Sequence, residues 1–234
     1  MIKKKNLAIV PAKGFSRRLP NKNILDFEGK PLLVRSLESV LGASELFDDI
    51  HVSTDSPLVL NTLAELPSCY PKFIRPNRLS GDDIGLTEVC TFVLSAYRSM
   101  GVEFENICLL WATAPLRTAS DIIESYKLLN DSADAVIGVT TYDLPFHCAQ
   151  FLHQDGSIVP VSHDDFWRST AEMPKVVCDC GSFAWVRVAA LEREKTWMPS
   201  KTKGFVLDKN RSVDIDTAED FEHAEYLYKR LLPS

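Results

Sequence analysis

Leu7-Ala8-Ile9-Val10-Pro11-Ala12-Lys13-Gly14-Phe15-Ser16-Arg17-Arg18-Leu19-Pro20-Asn21-Lys22-Asn23 is the stretch whose reading decides the fold. Four apolar residues closed by Pro11-Ala12 are too few for a helix and read as a strand buried on both faces. The loop behind it gathers Lys13, Arg17, Arg18 and Lys22 around the flexible Gly14. In such a loop backbone N–H groups and the Ser16 hydroxyl can donate to phosphate oxygens, while the cations offset charge that moves onto departing pyrophosphate. The spacing fits neither a Walker A loop nor a Gly-x-Gly-x-x-Gly fingerprint, which argues against an ATPase or a dinucleotide oxidoreductase. By itself a charge run of this kind is more often a solvated surface loop.

Outward from this loop the same strand-then-helix rhythm repeats. Pro31 suits a first helical turn, and Leu33, Leu37, Val40 and Leu41 follow at helical spacing. Residues 50–53 read as a strand, 57–66 as a helix, 72–74 as a brief strand, and Leu86 to Tyr97 as a helical stripe. Strands at 106–110 and 135–139 flank a helix capped by Thr118 and Asp121. Strands at 183–188 and 203–207 precede a C-terminal helix capped by Thr217 and Asp220. This alternation predicts an α/β fold with a doubly wound, mostly parallel sheet and ligands beyond the C-terminal strand ends. Residues 143–177 break the rhythm with Pro145, Pro160 and Pro174, and read as an arm or small subdomain inserted in a single domain spanning 1–234.

The chain has 234 residues and a formal net charge of -6, so a general nucleic-acid or membrane-surface binder is not expected. Six apolar residues between Lys5-Asn6 and Lys13 are too few for a signal peptide or a membrane span, and a cytoplasmic location is expected. The six cysteines show no repeated Cys-x-x-Cys spacing and read as reduced, mostly buried thiols, Cys178 and Cys180 included. Asp214 and Asp216 lie two apart on a stretch predicted to be extended, so both carboxylates can share one face while Val213 and Ile215 turn to the core. Hard oxygen ligands so placed suit Mg²⁺, although paired aspartates before a helix more often serve as caps.

The loop resembles the signature Ala-Arg-Gly-Gly-Ser-Lys-x-x-Pro-x-Lys-Asn of the acylneuraminate cytidylyltransferases. The resemblance continues through Asp26-Phe27-x-Gly29-Lys30-Pro31-Leu32, Val52-Ser53-Thr54-Asp55, Arg75-Pro76 with Leu79 and Asp82, Thr113-x-Pro115-Leu116-Arg117-Thr118, and Val213-Asp214-Ile215-Asp216-Thr217. Asp179-Cys180-Gly181-Ser182-Phe183-Ala184-Trp185 is similar to the Asp-Ala-Gly-Gln-Phe-Tyr-Trp segment of the pseudaminic acid type. The resemblance implies transfer of CMP from CTP to the anomeric hydroxyl of a nonulosonic acid, with Mg²⁺ held by Asp214 and Asp216 and a homodimer joined through the arm. It implies triphosphate contacts from Lys13, Gly14, Ser16 and Arg17, phosphate contacts and catalysis from Lys22 beside Asn23, and cytosine or ribose contacts around Arg75 and Asp82.

Departures from the pattern are equally specific. Lys13 and Arg17 exchange the family's Arg and Lys, keeping charge while trading a planar fork for a point charge and the reverse. Trp111 stands where the family often has Gln, and indole donates without accepting; Ser182 replaces Gln in the pseudaminic-type segment. These two changes favour another acidic sugar, or a non-catalytic nucleotide-sensing scaffold; retention of Lys22, Asp214 and Asp216 together favours an enzyme. No general base is legible, and His147 and His163 in the arm are weak candidates.

Overall fold

The strand ending at Pro11 lies inside a six-stranded sheet, next to one edge strand, in a computed structural model that describes residues 1–142 and 145–231. β1 (Ile2–Pro11) is followed by a two-stranded ribbon, β2 (Asp26–Phe27) with β3 (Lys30–Pro31), then α1 (Leu32–Gly42), β4 (Asp49–Ser53), α2 (Pro57–Thr62), α3 (Leu86–Ser99) and β5 (Val102–Leu110). α4 (Ala119–Tyr126) leads to β6 (Ala135–Thr141). Beyond it come the hairpin β7 (Gln150–Leu152) and β8 (Ile158–Pro160), the short α5 (His163–Phe166), β9 (Val177–Arg187), α6 (Val188–Glu194), β10 (Thr202–Val206) and α7 (Ala218–Leu231). The sheet order is β10-β6-β9-β5-β1-β4, and β9 alone runs antiparallel to its neighbours. The mostly parallel α/β architecture read from the alternation is the one observed.

Alternation along β1 explains the two covering layers. Ala8 and Val10 pack with Leu33, Leu37 and Val40 of α1 and Ile122 of α4, whereas Leu7 and Ile9 pack with Cys90, Val93 and Tyr97 of α3. The capping box read at Thr118 and Asp121 is present in both directions, a motif contributing about 1 kcal/mol. A third cluster of Phe27, Leu32, Leu116, Ile215, Ala224 and Leu227 docks α7 and the segment before it against the entry of α1.

Three local expectations are corrected. Residues 72–74 form no strand: Phe73 instead stacks its ring on His51 of β4 at 4.3 Å and Lys72 pairs with Asp49, so side chains cover the sheet edge that a ladder would have paired. α2 stops at Thr62, short of Leu66, because Pro67 excludes its predecessor from helix and Leu66 adopts φ -123 and ψ 66. Residues 213–216 are no strand either, their backbone bonding the core through Ile215 N–H to Thr113 O at 3.0 Å. β1, β5 and β9 run longer than read, and α6 carried too short a stripe to register. Of the predicted arm, residues 143 and 144 lie outside the described ones; from Pro145 to Val176 the chain carries the β7–β8 hairpin and α5 between β6 and β9.

Candidate active site

Because β4, β1 and β5 are mutually parallel, Thr54-Asp55, the loop 12–23 and Trp111–Thr118 all emerge at the same sheet edge. β9 runs the other way, with Phe183 opposite Leu110, so its Gly181-Ser182 stretch reaches that edge too. The third cluster adds Asp214 and Asp216 by burying Ile215 completely between them. Five separate stretches of sequence thus come together at one end of the sheet.

The cleft of about 470 Å³ is lined by Lys13, Ser16, Arg17, Arg18, Lys22, Asn23, Asp82 and Asp216. Two carboxylates hold its four cations. Lys22 Nζ donates to Asp216 Oδ1 at 2.9 Å and to Ile215 O at 2.7 Å, and Arg18 forms an ion pair with Asp216 Oδ2 at 2.7 Å. Lys13 Nζ lies 2.5 Å from Asp82 Oδ1, and Arg17 Nε bonds Asp82 Oδ2. Lys22 is the secluded member, with 13% of its side chain exposed against 72% for Arg17. Asn23 folds the loop by donating to Lys13 O at 2.9 Å.

A neighbouring cavity of about 230 Å³ shares Lys13, Lys22 and Asn23 and adds Arg75, Leu79, Gly81, Ile84 and Thr113. Arg75 is 4% exposed; it bonds Asp55 Oδ1 at 3.4 Å, and its buried Nε has no partner among the described residues. Burial lowers the pKa of its guanidinium, and Asp55 opposes that effect. Asp55 also accepts from Gly14 N–H at 3.0 Å, a close approach that requires glycine, because a Cβ there would stand 2.8 Å from the Ser56 Cβ. Of the two residues expected around base and ribose, Arg75 pairs with Asp55 and Asp82 with Lys13 and Arg17 of the loop.

Asp214 is nearly enclosed. Its Oδ1 accepts from the Thr113 hydroxyl at 2.5 Å, and Gly181, at φ +57, approaches so closely that a Cβ would fall 2.3 Å from Asp214 Oδ2. Burial pushes its carboxyl up to about 6; Thr113 and Lys22 oppose the shift, while Asp216 and Asp179 reinforce it. Crowded carboxylates of this sort fit a hard divalent cation, whose charge would relieve them. Among the described residues no group of three or more His, Cys, Asp and Glu is arranged to hold a metal, so further ligands to such an ion would have to be substrate oxygens or water.

Thr113, Arg18, Asp55, Gly181 and Arg117 were all missed as individual site residues, although all five sit inside the quoted stretches that resembled a family. Arg117 is buried and donates to the carbonyls of Trp111 at 3.3 Å and Ser182 at 2.5 Å, tying two of the converging loops together. Trp111 turns its ring against Trp197, with centroids 5.5 Å apart, and the buried Ser182 hydroxyl has no partner among the described residues. His147 and His163 do not line either cavity. All six cysteines are free; burial pushes the Cys180 thiol up to about 12, and Cys178 bonds Thr140 O, in keeping with packed thiols.

Residues 7–140 match the model of a family described as cytidylyltransferase. The chain belongs to the cytidylyltransferase family. It is therefore a nucleotidyltransferase, and its mostly parallel sheet serves that chemistry. It is 31% identical over 227 residues to a pseudaminic acid cytidylyltransferase of Campylobacter jejuni, covering 96% of this chain and 97% of the relative. A CMP-N,N'-diacetyllegionaminic acid synthase of Legionella pneumophila is 27% identical, with 94% and 95% covered. Among solved structures, a CMP:2-keto-3-deoxy-manno-octonic acid synthetase complexed with CTP shares the fold at TM-score 0.71 and 16% identity, covering 98% of this chain and all of that one. No helix among the described residues is long and apolar enough to cross a membrane.

Proposed function

We propose that the protein transfers CMP from CTP to the anomeric hydroxyl of a nonulosonic acid, with pseudaminic acid the favoured sugar. The observation that carries the reading is the meeting of Lys22 with Asp216, 194 residues apart in sequence, beside the enclosed Asp214. The sugar oxygen attacks the α-phosphorus in line, the bond to the β-phosphate oxygen breaks, pyrophosphate leaves, and the hydroxyl proton is lost to solvent or a base. Lys22, little exposed and fixed by two acceptors, is placed to follow charge onto the oxygens around the α-phosphorus. Lys13, Arg17 and Ser16 line the outer cleft and would hold the β- and γ-phosphates, with Gly14 keeping the loop close to Asp55. The orphaned Arg75 Nε offers a donor to a ligand in the smaller cavity. Asp214 and Asp216 would hold Mg²⁺, which when bound offsets phosphate charge as the α-phosphorus reacts.

The 31% identity to a pseudaminic acid enzyme and the Asp179–Trp185 segment support that sugar, while Trp111 packs away its ring rather than reproducing a Gln amide. Incubation with CTP, Mg²⁺ and a panel of pseudaminic, legionaminic, N-acetylneuraminic and 3-deoxy-manno-octulosonic acids tests the assignment. The highest kcat/KM is expected with pseudaminic acid; a preference for any other member of the panel overturns the sugar and leaves the reaction class standing.

A further inference from the structure

Every cation of the loop 12–23 is already paired, and the two carboxylates responsible have different addresses. Asp216 stands beside the crowded Asp214, on the segment before α7, and pairs with Lys22 and Arg18. Asp82 comes instead from the exposed loop between the 3-10 helix Asn77–Leu79 and α3, and it bridges Lys13 and Arg17. About a third of its side chain is exposed, so water and an incoming ligand can reach it. Lys13 and Arg17 hold its carboxyl below the usual range, leaving it anionic at neutral pH. The same loop contributes Gly81 and Ile84 to the smaller cavity beside Arg75.

We propose that Asp82 is a displaceable counter-ion, a specificity-determining residue that occupies the pyrophosphoryl cations until a triphosphate replaces it and that returns as pyrophosphate leaves. The inference rests on the nucleotide reading above. A phosphate at Lys13 and Arg17 must break both contacts of Asp82, and the free energy of those contacts is subtracted from the affinity of any ligand that reaches them. A nucleoside monophosphate that engages only Lys22 and Arg75 leaves Asp82 undisturbed. Asp82 thus lowers the affinity for triphosphate and for pyrophosphate without touching that for CMP. It also makes the product pyrophosphate easier to expel, since the vacated cations regain a partner at once.

Calorimetric titration of wild type, Asp82→Asn and the charge-retaining Asp82→Glu with CTP, pyrophosphate and CMP, in Mg²⁺, tests the proposal. Two exposed ion pairs are worth a few-fold each at most, so Asp82→Asn is expected to bind CTP and pyrophosphate about three- to tenfold more tightly. Its CMP affinity should stay within about twofold, and Asp82→Glu should resemble wild type. Pyrophosphate should inhibit the Asn variant more strongly by the same factor. Unchanged or weaker pyrophosphate binding in Asp82→Asn, or all three ligands shifting together, overturns the proposal while leaving CTP binding by the wild type intact. A wild type that binds no CTP overturns the nucleotide reading, and this inference with it.

Discussion

Lys22 and Asp216 divide the work of one ion pair differently before and during reaction. With 13% of its side chain exposed, Lys22 is a weak anchor for a mobile triphosphate and a strong one for charge that shifts at a fixed point. Lys22→Ala is expected to slow the single-turnover step by about 10²–10³, with directly titrated CTP affinity falling far less. Equal rates with weaker binding would demote Lys22 to an anchor. Asp216→Asn should abolish most turnover and keep the melting transition; near-wild-type turnover at limiting Mg²⁺ would remove the metal role.

Asp214 makes a pH prediction at the same scale. Its folded pKa, about 6, stands above the ordinary 3.8, so between those values the folded state binds the extra proton. Stability from this group is full below the lower value and is lost as pH rises through about 6. His51 acts in the opposite direction: burial lowers its pKa from 6.5 to about 4, so its contribution is full above 6.5 and is lost as pH falls. In metal-free urea titrations, Asp214→Asn should therefore be more stable than wild type at pH about 7 and lose more stability on acidification, because the group that offsets the acid-side loss from His51 is gone. A variant less stable than wild type at neutral pH would contradict the burial account.

At the scale of elements, the sequence was most legible where periodicity and caps agree. β1, α1, α3 and the capped α4 were all recognisable, because alternate burial and Thr118–Asp121 pairing are local signals. Residues 72–74 and 213–216 were misread since an extended apolar pattern does not reveal whether a neighbouring strand will pair with it. The loop 12–23 and the aspartate pair were readable as chemistry; the roles of Thr113, Gly181 and Arg117 were not, because each depends on a contact with a residue distant in sequence, Asp214 for Thr113 and Gly181 and Ser182 for Arg117. Gly181→Ala tests one such contact. A side chain at φ +57 is strained by about 1 kcal/mol and would strike Asp214, so turnover is expected to fall at least about tenfold with CTP affinity largely kept. Wild-type turnover would show that the aspartate tolerates displacement.

For the whole molecule, the region between β6 and β9 presents Phe146, Phe151, Leu152, Ile158 and Trp167 to solvent, Trp167 at 83% exposure. Phe166 packs edge-on against Trp167 instead of against the sheet. We infer that a second copy of the chain covers this apolar surface, as the resemblance implied. Sedimentation equilibrium is expected to give a dimer at assay concentration and a shift toward monomer in Trp167→Asp; a monomeric wild type would refute the arm's role.

Coupling of the cleft's phosphate chemistry to an acidic sugar acceptor is visible in a single reaction. Wild type and Asp216→Asn are incubated with CTP, Mg²⁺ and pseudaminic acid, and products are identified by mass while pyrophosphate is counted. The wild type is expected to form one CMP-pseudaminic acid per pyrophosphate, and the variant almost none. CTP left intact, or pyrophosphate released with free CMP and no sugar adduct, would contradict it.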